Sequence, residues 1–203
     1  MKMWKLISVV ALMWCSVQAN AQIGLQLGHP TALGTGCPTP DSVAAILSPD
    51  NASLSVLFSA FQVDAGYTQN GFKQVDRKAC SLAVPVLVPE GYQVSIIRTD
   101  YRGFNLVPAG GRNRINTEYF WAGIRGPRFT RDFMGPQNAD FTTSNGVMVS
   151  SLVWSQCGAD ITLRVNTDIM TMTNRNGDQA MMTVDSADIS SALIYSLQWR
   201  SCR

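Results

Sequence analysis

Cysteine, arginine and a few carboxylates are the residues of this chain whose types and spacing could do chemistry. Cys37, Cys80, Cys157 and Cys202 lie more than 40 residues from one another. A zinc site is built from close pairs such as C-x2-C, so thiolates spread this widely point to disulfides and not to a metal. Four cysteines allow three connectivities, of which Cys37 to Cys80 and Cys157 to Cys202 is favoured here. Each bridge would close a loop of roughly 44 residues, for which chain entropy gives about 4 kcal/mol less any native strain. His29 is the single histidine, and it precedes the first of these cysteines. A Ser-His-Asp or Cys-His site is therefore not expected, nor is a His-built zinc or copper centre, and no cofactor is implied. Asp100, Glu118, Asp132 and Asp140 could supply the two acids of a glycoside hydrolase, but no spacing marks a pair, and salt bridges to nearby arginines are the alternative. Asn174, Asn176 and Asp178 could offer oxygens to calcium, although the run lacks the full acidic loop and its distal glutamate; a plain turn is the alternative.

Arginine is the most unevenly distributed charge. Residues 98–131 carry Arg98, Arg102, Arg112, Arg114, Arg125, Arg128 and Arg131 against only Asp100 and Glu118. Tyr101 and Phe104 are interleaved with them, and Tyr119 and Trp121 share one parity of a predicted strand. Arginine forks onto carboxylate or phosphate while an aromatic ring covers the apolar face of a sugar, so Arg98, Tyr101, Arg102, Arg112, Arg114, Tyr119 and Trp121 are the candidate ligand contacts. The alternative places Tyr119 and Trp121 in the core and the arginines on its solvated rim.

The N-terminus sets the compartment. Lys2 and Lys5 flank the start of an apolar run too short to span a bilayer, and Ala19-Asn20-Ala21 fits a cleavage box; residues 1–21 read as a secretory signal. A lipid anchor on Cys15 would need a small residue before it, and Trp14 stands there. Cleavage removes Cys15, leaving an even number of cysteines in an oxidising compartment. It also removes two lysines, so that 14 Lys+Arg face 14 Asp+Glu and a general polyanion or nucleic-acid binder is not indicated. No later stretch is apolar enough to cross a membrane as a helix. The product is expected to be secreted or periplasmic. Asn51-Ala52-Ser53 is a glycosylation sequon in a predicted turn.

The elements that must position these residues read as β. Residues 22–36 form an extended arm, and 37–203 one domain. Alternation rich in Val, Ile, Thr and aromatics recurs, with no capped amphipathic helix. Strands are expected at 43–47 and 53–60, joined as a hairpin by Ser48-Pro49-Asp50-Asn51. A second hairpin should join 79–88 to 92–99 through Pro89-Glu90-Gly91, with Pro85 marking an edge or bulge. Further strands are expected at 112–122, 146–154 and 193–199, and Asn176-Gly177 should turn 160–173 into 180–184. Residues 160–173 alternate most cleanly, with Ile161, Leu163, Val165, Thr167 and Ile169 on one face. Trp154 and Trp199, each near a cysteine, should pack on disulfides. The whole describes an antiparallel, jelly-roll-like β-sandwich, with a closed barrel as runner-up.

Gly36-Cys37-Pro38, Lys78-Ala79-Cys80, Asp100-Tyr101-Arg102-Gly103, Trp154-Ser155-Gln156-Cys157-Gly158 and Trp199-Arg200-Ser201-Cys202, in this order, resemble the secreted four-cysteine proteins of domain-of-unknown-function family 4360. The resemblance covers residues 34–202. It implies secretion, two disulfides and a β-rich fold, and carries no activity, ligand or catalytic residue.

A non-catalytic binding module for an anionic glycan or envelope polymer is the leading functional expectation. A secreted carboxylate-dependent hydrolase and a structural surface protein are the other two. A groove holding two facing carboxylates would favour the hydrolase, and an exposed patch of aromatics and arginines would favour binding.

Overall fold

The computed structural model describes residues 24–69, 71–121, 123–146, 152–184 and 193–202. The expected signal, 1–21, lies outside them. In chain order the described strands are β1 (Gln26–Leu27), β2 (Thr31–Leu33), β3 (Val43–Leu47), β4 (Ser53–Phe58), β5 (Gln62–Thr68), β6 (Gly71–Lys73) and β7 (Val75–Leu87). They continue with β8 (Tyr92–Val107), β9 (Arg112–Trp121), β10 (Ile124–Met134), β11 (Gln137–Gly146), β12 (Ile161–Met172), β13 (Ala180–Thr183) and β14 (Leu193–Ser201). Among the described residues the helical content is one 3-10 turn, Pro40–Ser42.

The strands form two antiparallel sheets. The first has the order β1-β7-β12-β9-β10, with β2 also on β7; the second runs β3-β4-β14-β8-β13-β5-β6, with β11 added to β8. Two distinct sheets packed face to face make a sandwich, jelly-roll-like in its crossings, and not a closed barrel. The arm before Cys37 supplies β1 and β2 and so extends the first sheet.

The β3–β4 hairpin forms as its turn signal predicts. Three other expectations need correction. Strands β7 and β8 do not pair: Pro89-Glu90-Gly91 carries the chain from the first sheet to the second. The turn after β12 spans Asn174 to Gly177, closed by the Gly177 N–H on the Asn174 carbonyl at 3.2 Å, and it too leads into the other sheet, because β13 pairs with β5 and β8. The strand expected at 146–154 reaches only Gly146; 147–151 lie outside the described residues, and 152–154 hold no regular structure. Pro85 sits within the first sheet, yet its missing N–H falls in the gap between β1 and β2, where its carbonyl accepts the Gly28 N–H at 2.9 Å.

Period-two alternation places the core between the sheets. On β12, Leu163, Val165 and Ile169 are buried, and on β9 so are Ile115, Tyr119 and Trp121. From the second sheet Val56, Ile96, Tyr101, Met182, Leu193 and Tyr195 meet them. Buried polar groups pair across the gap: Asn113 Nδ2 donates to Asn105 Oδ1 at 2.9 Å and to the Met181 carbonyl at 2.7 Å. The Trp121 indole N–H donates to the Val94 carbonyl at 3.0 Å. Cys37 is bridged to Cys80 and Cys157 to Cys202, with Cα–Cα distances of 5.4 and 5.9 Å. Trp154 and Trp199 are half-buried at the core's margin. Trp154 lies under the Arg200 guanidinium at 4.0 Å, and the Trp199 N–H donates to the Asn51 carbonyl at 3.0 Å.

Leu163 is 0 % exposed, so Leu163→Ala should cost about 3 kcal/mol of stability, whereas Thr162→Ala, on the outer face, should stay within roughly 0.5 kcal/mol. Chemical denaturation of the two variants checks this. Equal losses would show that the faces of β12 are misassigned.

Candidate functional site

The seven arginines of the 98–131 window do not form one patch. Strand β8 belongs to the second sheet and β9 and β10 to the first, so the chain carries them to opposite sides of the sandwich. Arg98 and Arg102 share the outer face of the second sheet with Asp100. Arg98 Nε donates to Asp100 Oδ1 at 2.9 Å and its Nη2 to Ser144 Oγ at 3.0 Å. Arg112, Arg114, Arg125 and Arg128 lie on the outer face of the first sheet. Arg131 stands at its edge, with its guanidinium 6.0 Å from the Phe133 ring centre.

The expected aromatic contacts are displaced further. Tyr101 and Trp121 are 1 % exposed and Tyr119 4 %, so none offers a ring face to a ligand, and these three candidates are corrected to core residues. Tyr101 stacks on Phe129 at 4.6 Å. Burial pushes the phenols of Tyr101 and Tyr195 well up and that of Tyr119 to about 12. They remain neutral, as an apolar site demands.

What the fold does assemble is a charged outer face on the first sheet. The parity that turns Ile115 and Leu163 inward turns Arg112, Arg114, Asn116, Glu118 and Phe120 of β9 outward, beside Arg164, Asn166 and Asp168 of β12. Strand β10 adds Arg128 opposite Glu118 and Asp132 opposite Arg114, and β7 adds Arg77. Arg114 holds Asp132 with two bonds, Nε to Oδ1 at 2.7 Å and Nη2 to Oδ2 at 2.8 Å, while Arg112 Nε stands 4.0 Å from the same carboxylate. Arg125 pairs with Glu118, which Arg128 also approaches at 3.6 Å. Arg77 meets Asp168 at 3.0 Å, and Asn116 Nδ2 donates to Asp168 Oδ1 at 3.0 Å.

Three shallow depressions mark this face, and they run into one another. Phe120 and Arg164 line both the first and the second, and Asn166 lines both the second and the third, which continues to Arg77, Arg114 and Arg128. They form one furrow across the strands. Among the described residues six arginines (77, 112, 114, 125, 128 and 164) face four carboxylates (118, 132, 160 and 168), and Arg77 and Arg128 are 63 % and 62 % exposed. Arg77, Arg164, Asn116, Asn166 and Phe120 are furrow residues that reading the sequence missed. The parity of 112–122 and 160–173 marks all but Arg77 as outward, but only the β9–β12 register sets them side by side.

Glu118 and Asp132 suit ion pairing better than proton transfer. Hydrogen bonding from Arg125 holds the Glu118 carboxyl below its ordinary range, and hydrogen bonding from Arg114 does the same for Asp132. A glycosidase needs an acid whose pKa is raised. Glu118 and the rung holding Asp132 lie four residues apart along β9, roughly 14 Å, beyond the roughly 9.5 Å that inverting enzymes span. Asp100 lies on the other sheet, and Asp140 is exposed on β11. Around Asn174, the side-chain Oδ1 accepts the Asn176 and Asp178 N–H groups at 3.1 and 3.2 Å, and Nδ2 donates to Asp178 Oδ2 at 2.7 Å. Asn174 Oδ1 and Asp178 Oδ2 thus have protein partners. Among the described residues, no helix is long and apolar enough to cross a membrane.

A family model described as domain of unknown function DUF4360 matches residues 24–202. An uncharacterized secreted protein of Arthroderma benhamiae is 30 % identical over 171 residues, covering 83 % of this chain and 68 % of the relative. Two solved structures show a faint likeness. The GH31 alpha-xylosidase from Xanthomonas citri is 10 % identical, with 88 % of this chain and 19 % of that one covered at a TM-score of 0.25. The family 11 carbohydrate-binding module from Clostridium thermocellum, in complex with a beta-1,3-1,4-mixed-linked tetrasaccharide, is 10 % identical, with 89 % and 91 % covered at a TM-score of 0.20. Likeness at these scores carries no inference about ligand.

Because its folded carboxyl is depressed, Asp132 contributes stability fully above its ordinary value of 3.8 and loses that contribution as pH falls through its lower folded value. A carboxyl-carbon NMR titration should place its midpoint below 3.8 in the parent and move it upward in Arg114→Gln. A midpoint that does not respond to the substitution would contradict the assigned pairing.

Proposed function

The chain belongs to the DUF4360 family, and we propose that it is an exported, non-catalytic binding module whose furrow on the first sheet takes an anionic glycan or cell-envelope polymer. The observation that carries this reading is the continuity of the furrow: depressions that share Phe120, Arg164 and Asn166 suit an extended polymer better than a compact molecule. Arg77, Arg128 and Arg164 offer forked donors to carboxylate or phosphate. The arginine excess over Glu118, Asp132, Asp160 and Asp168 sets the sign of the ligand, and the asparagines supply neutral hydrogen bonds to hydroxyls. The half-buried Phe120 ring gives the furrow an apolar floor. Export is supported by the N-terminal signal pattern, by the two bridges, which belong to an oxidising compartment, and by the name of the fungal relative.

Exposed charges are screened within roughly 8 Å at physiological ionic strength. Retention of the exported protein on immobilised polygalacturonate, alginate or polyphosphate should therefore weaken as salt is raised. A combined Arg77→Ala, Arg128→Ala and Arg164→Ala variant should bind at least roughly tenfold more weakly, which is about 1.4 kcal/mol. Arg98→Ala with Arg102→Ala, on the opposite face, should bind like the parent. Full-strength, salt-independent binding by the triple variant would show that the furrow is only a solvated flank of the core.

A further inference from the structure

We propose that the β5–β6 hairpin carries a second carbohydrate site, distinct from the furrow, in which Tyr67 and Phe72 form a stacking platform for an uncharged sugar unit. The two residues are a register pair across the hairpin, their ring centres 5.0 Å apart and their planes inclined by 43°. Both are largely open to solvent, Tyr67 at 72 % and Phe72 at 53 %. Two large rings side by side in water make a local apolar patch, and such a patch rimmed by polar residues marks a binding surface.

The rings are held and not merely left outside. Gly177, at φ +73°, lies beneath both: a Cβ there would stand 2.7 Å from Tyr67 and 3.0 Å from Phe72. The Tyr67 N–H donates to the Gly177 carbonyl at 3.0 Å, so the turn after β12 supports the hairpin at its aromatic pair. A glycine at this point admits the rings to van der Waals contact with backbone, which fixes their orientation before any ligand arrives.

The rim beside the rings is polar and electrically balanced. Asp64 and Asp76 stand against Lys73 and Lys78, with Gln69 and Gln179 completing the depression. The acids are already oriented: Asp76 Oδ2 accepts the Asp64 N–H at 3.1 Å, Asp76 Oδ1 receives Lys73 Nζ at 3.3 Å, and Gln62 Nε2 donates to Asp64 Oδ2 at 2.9 Å. Two acids and two lysines give no net charge, which selects a neutral ligand. Donors and acceptors together, next to an apolar ring face, match a hexose, whose C–H face stacks on an aromatic while its hydroxyls both donate and accept. A lipid chain offers that rim no hydrogen-bonding group. The site is separate from the arginine furrow, because Asp76 and Lys78 have the opposite parity on β7 to Arg77.

The test is affinity electrophoresis of the exported protein in native gels containing laminarin, galactomannan, arabinoxylan or soluble starch, at low and at high salt. At least one of these neutral polymers should retard the parent, independently of salt. Tyr67→Ala and Phe72→Ala should each weaken retardation roughly tenfold, the loss of one stacking contact, with unchanged thermal unfolding. Tyr67→Phe should retain it, and the arginine variants of the furrow should bind neutral polymers like the parent. Failure of every neutral polymer to retard the parent would overturn the proposal, as would parental binding by Tyr67→Ala. Loss of binding confined to phosphatidylcholine vesicles in the same two variants would overturn it in favour of a lipid surface. None of these outcomes bears on binding of anionic polymers.

Discussion

The pairing of β9 with β12 is the constraint on which the rest depends. Their register sets Ile115 against Ile169, Thr117 against Thr167 and Tyr119 against Val165 on the inner face, and all six side chains are buried. A slip of one residue in β9 would turn Arg114 into the core and expose Ile115, and the same slip in β12 would do so to Arg164 and Leu163, either one burying unpaired guanidinium groups. The register is therefore fixed by the core, and the outer face follows from it. Arginines, asparagines and Phe120 become neighbours because their parity leaves them no other place.

Covalent and polar ties secure the strands around this seam. The Cys37–Cys80 bridge fastens the segment before β3 to β7, and the Cys157–Cys202 bridge fastens the end of β14 to the approach to β12. The segment holding Cys37 also bonds β7, through the Gly36 N–H on the Ala79 carbonyl at 2.9 Å, and the segment holding Cys157 bonds β8, through the Ser155 N–H on the Val94 carbonyl at 3.0 Å. Within the core, Asn113 on β9 reaches Asn105 on β8 and the Met181 carbonyl on β13. The Asn113 Nδ2 group, with these two acceptors, favours one alignment of the two sheets, since a shift would leave its N–H groups unsatisfied in a low-dielectric interior.

The sequence shows which residues are strands and which way their side chains point, because both follow from local alternation. Ile161 to Ile169 and Arg112 to Trp121 are legible in this way, and so is the turn at Ser48 to Asn51. Which sheet a strand joins is not local. Pro89-Glu90-Gly91 and Asn174 to Gly177 announce reversals of the chain, but the same turn chemistry serves a hairpin and a crossing between sheets. That ambiguity also divides the arginines. Arg98 and Arg102 are close to Arg112 and Arg114 in sequence, yet the crossing from β8 to β9 places a core between them, and Tyr101, Tyr119 and Trp121 fill that core. Arg77 and Arg164 enter the furrow from strands distant in the chain, and Tyr67 and Phe72 acquire their meaning only from Gly177, more than a hundred residues away.

Neither of the two surfaces is needed to hold the fold. Exposed ion pairs contribute little to stability because water screens them and ordering long side chains costs entropy, and Arg77, Arg125 and Arg128 are all largely exposed. The furrow could carry serines or threonines in place of its arginines with the inner face of the sheet unchanged. Tyr67 and Phe72 bury little of their surface, and a polar hairpin would close β5 onto β6 as well. The two surfaces also differ in chemistry: the furrow has an excess of fixed positive charge, whereas the aromatic pair has a charge-balanced rim and an apolar centre. A heteropolymer with both acidic and neutral sugars could engage them in different ways, its acidic units held by forces that salt weakens and its neutral units by stacking that salt leaves intact.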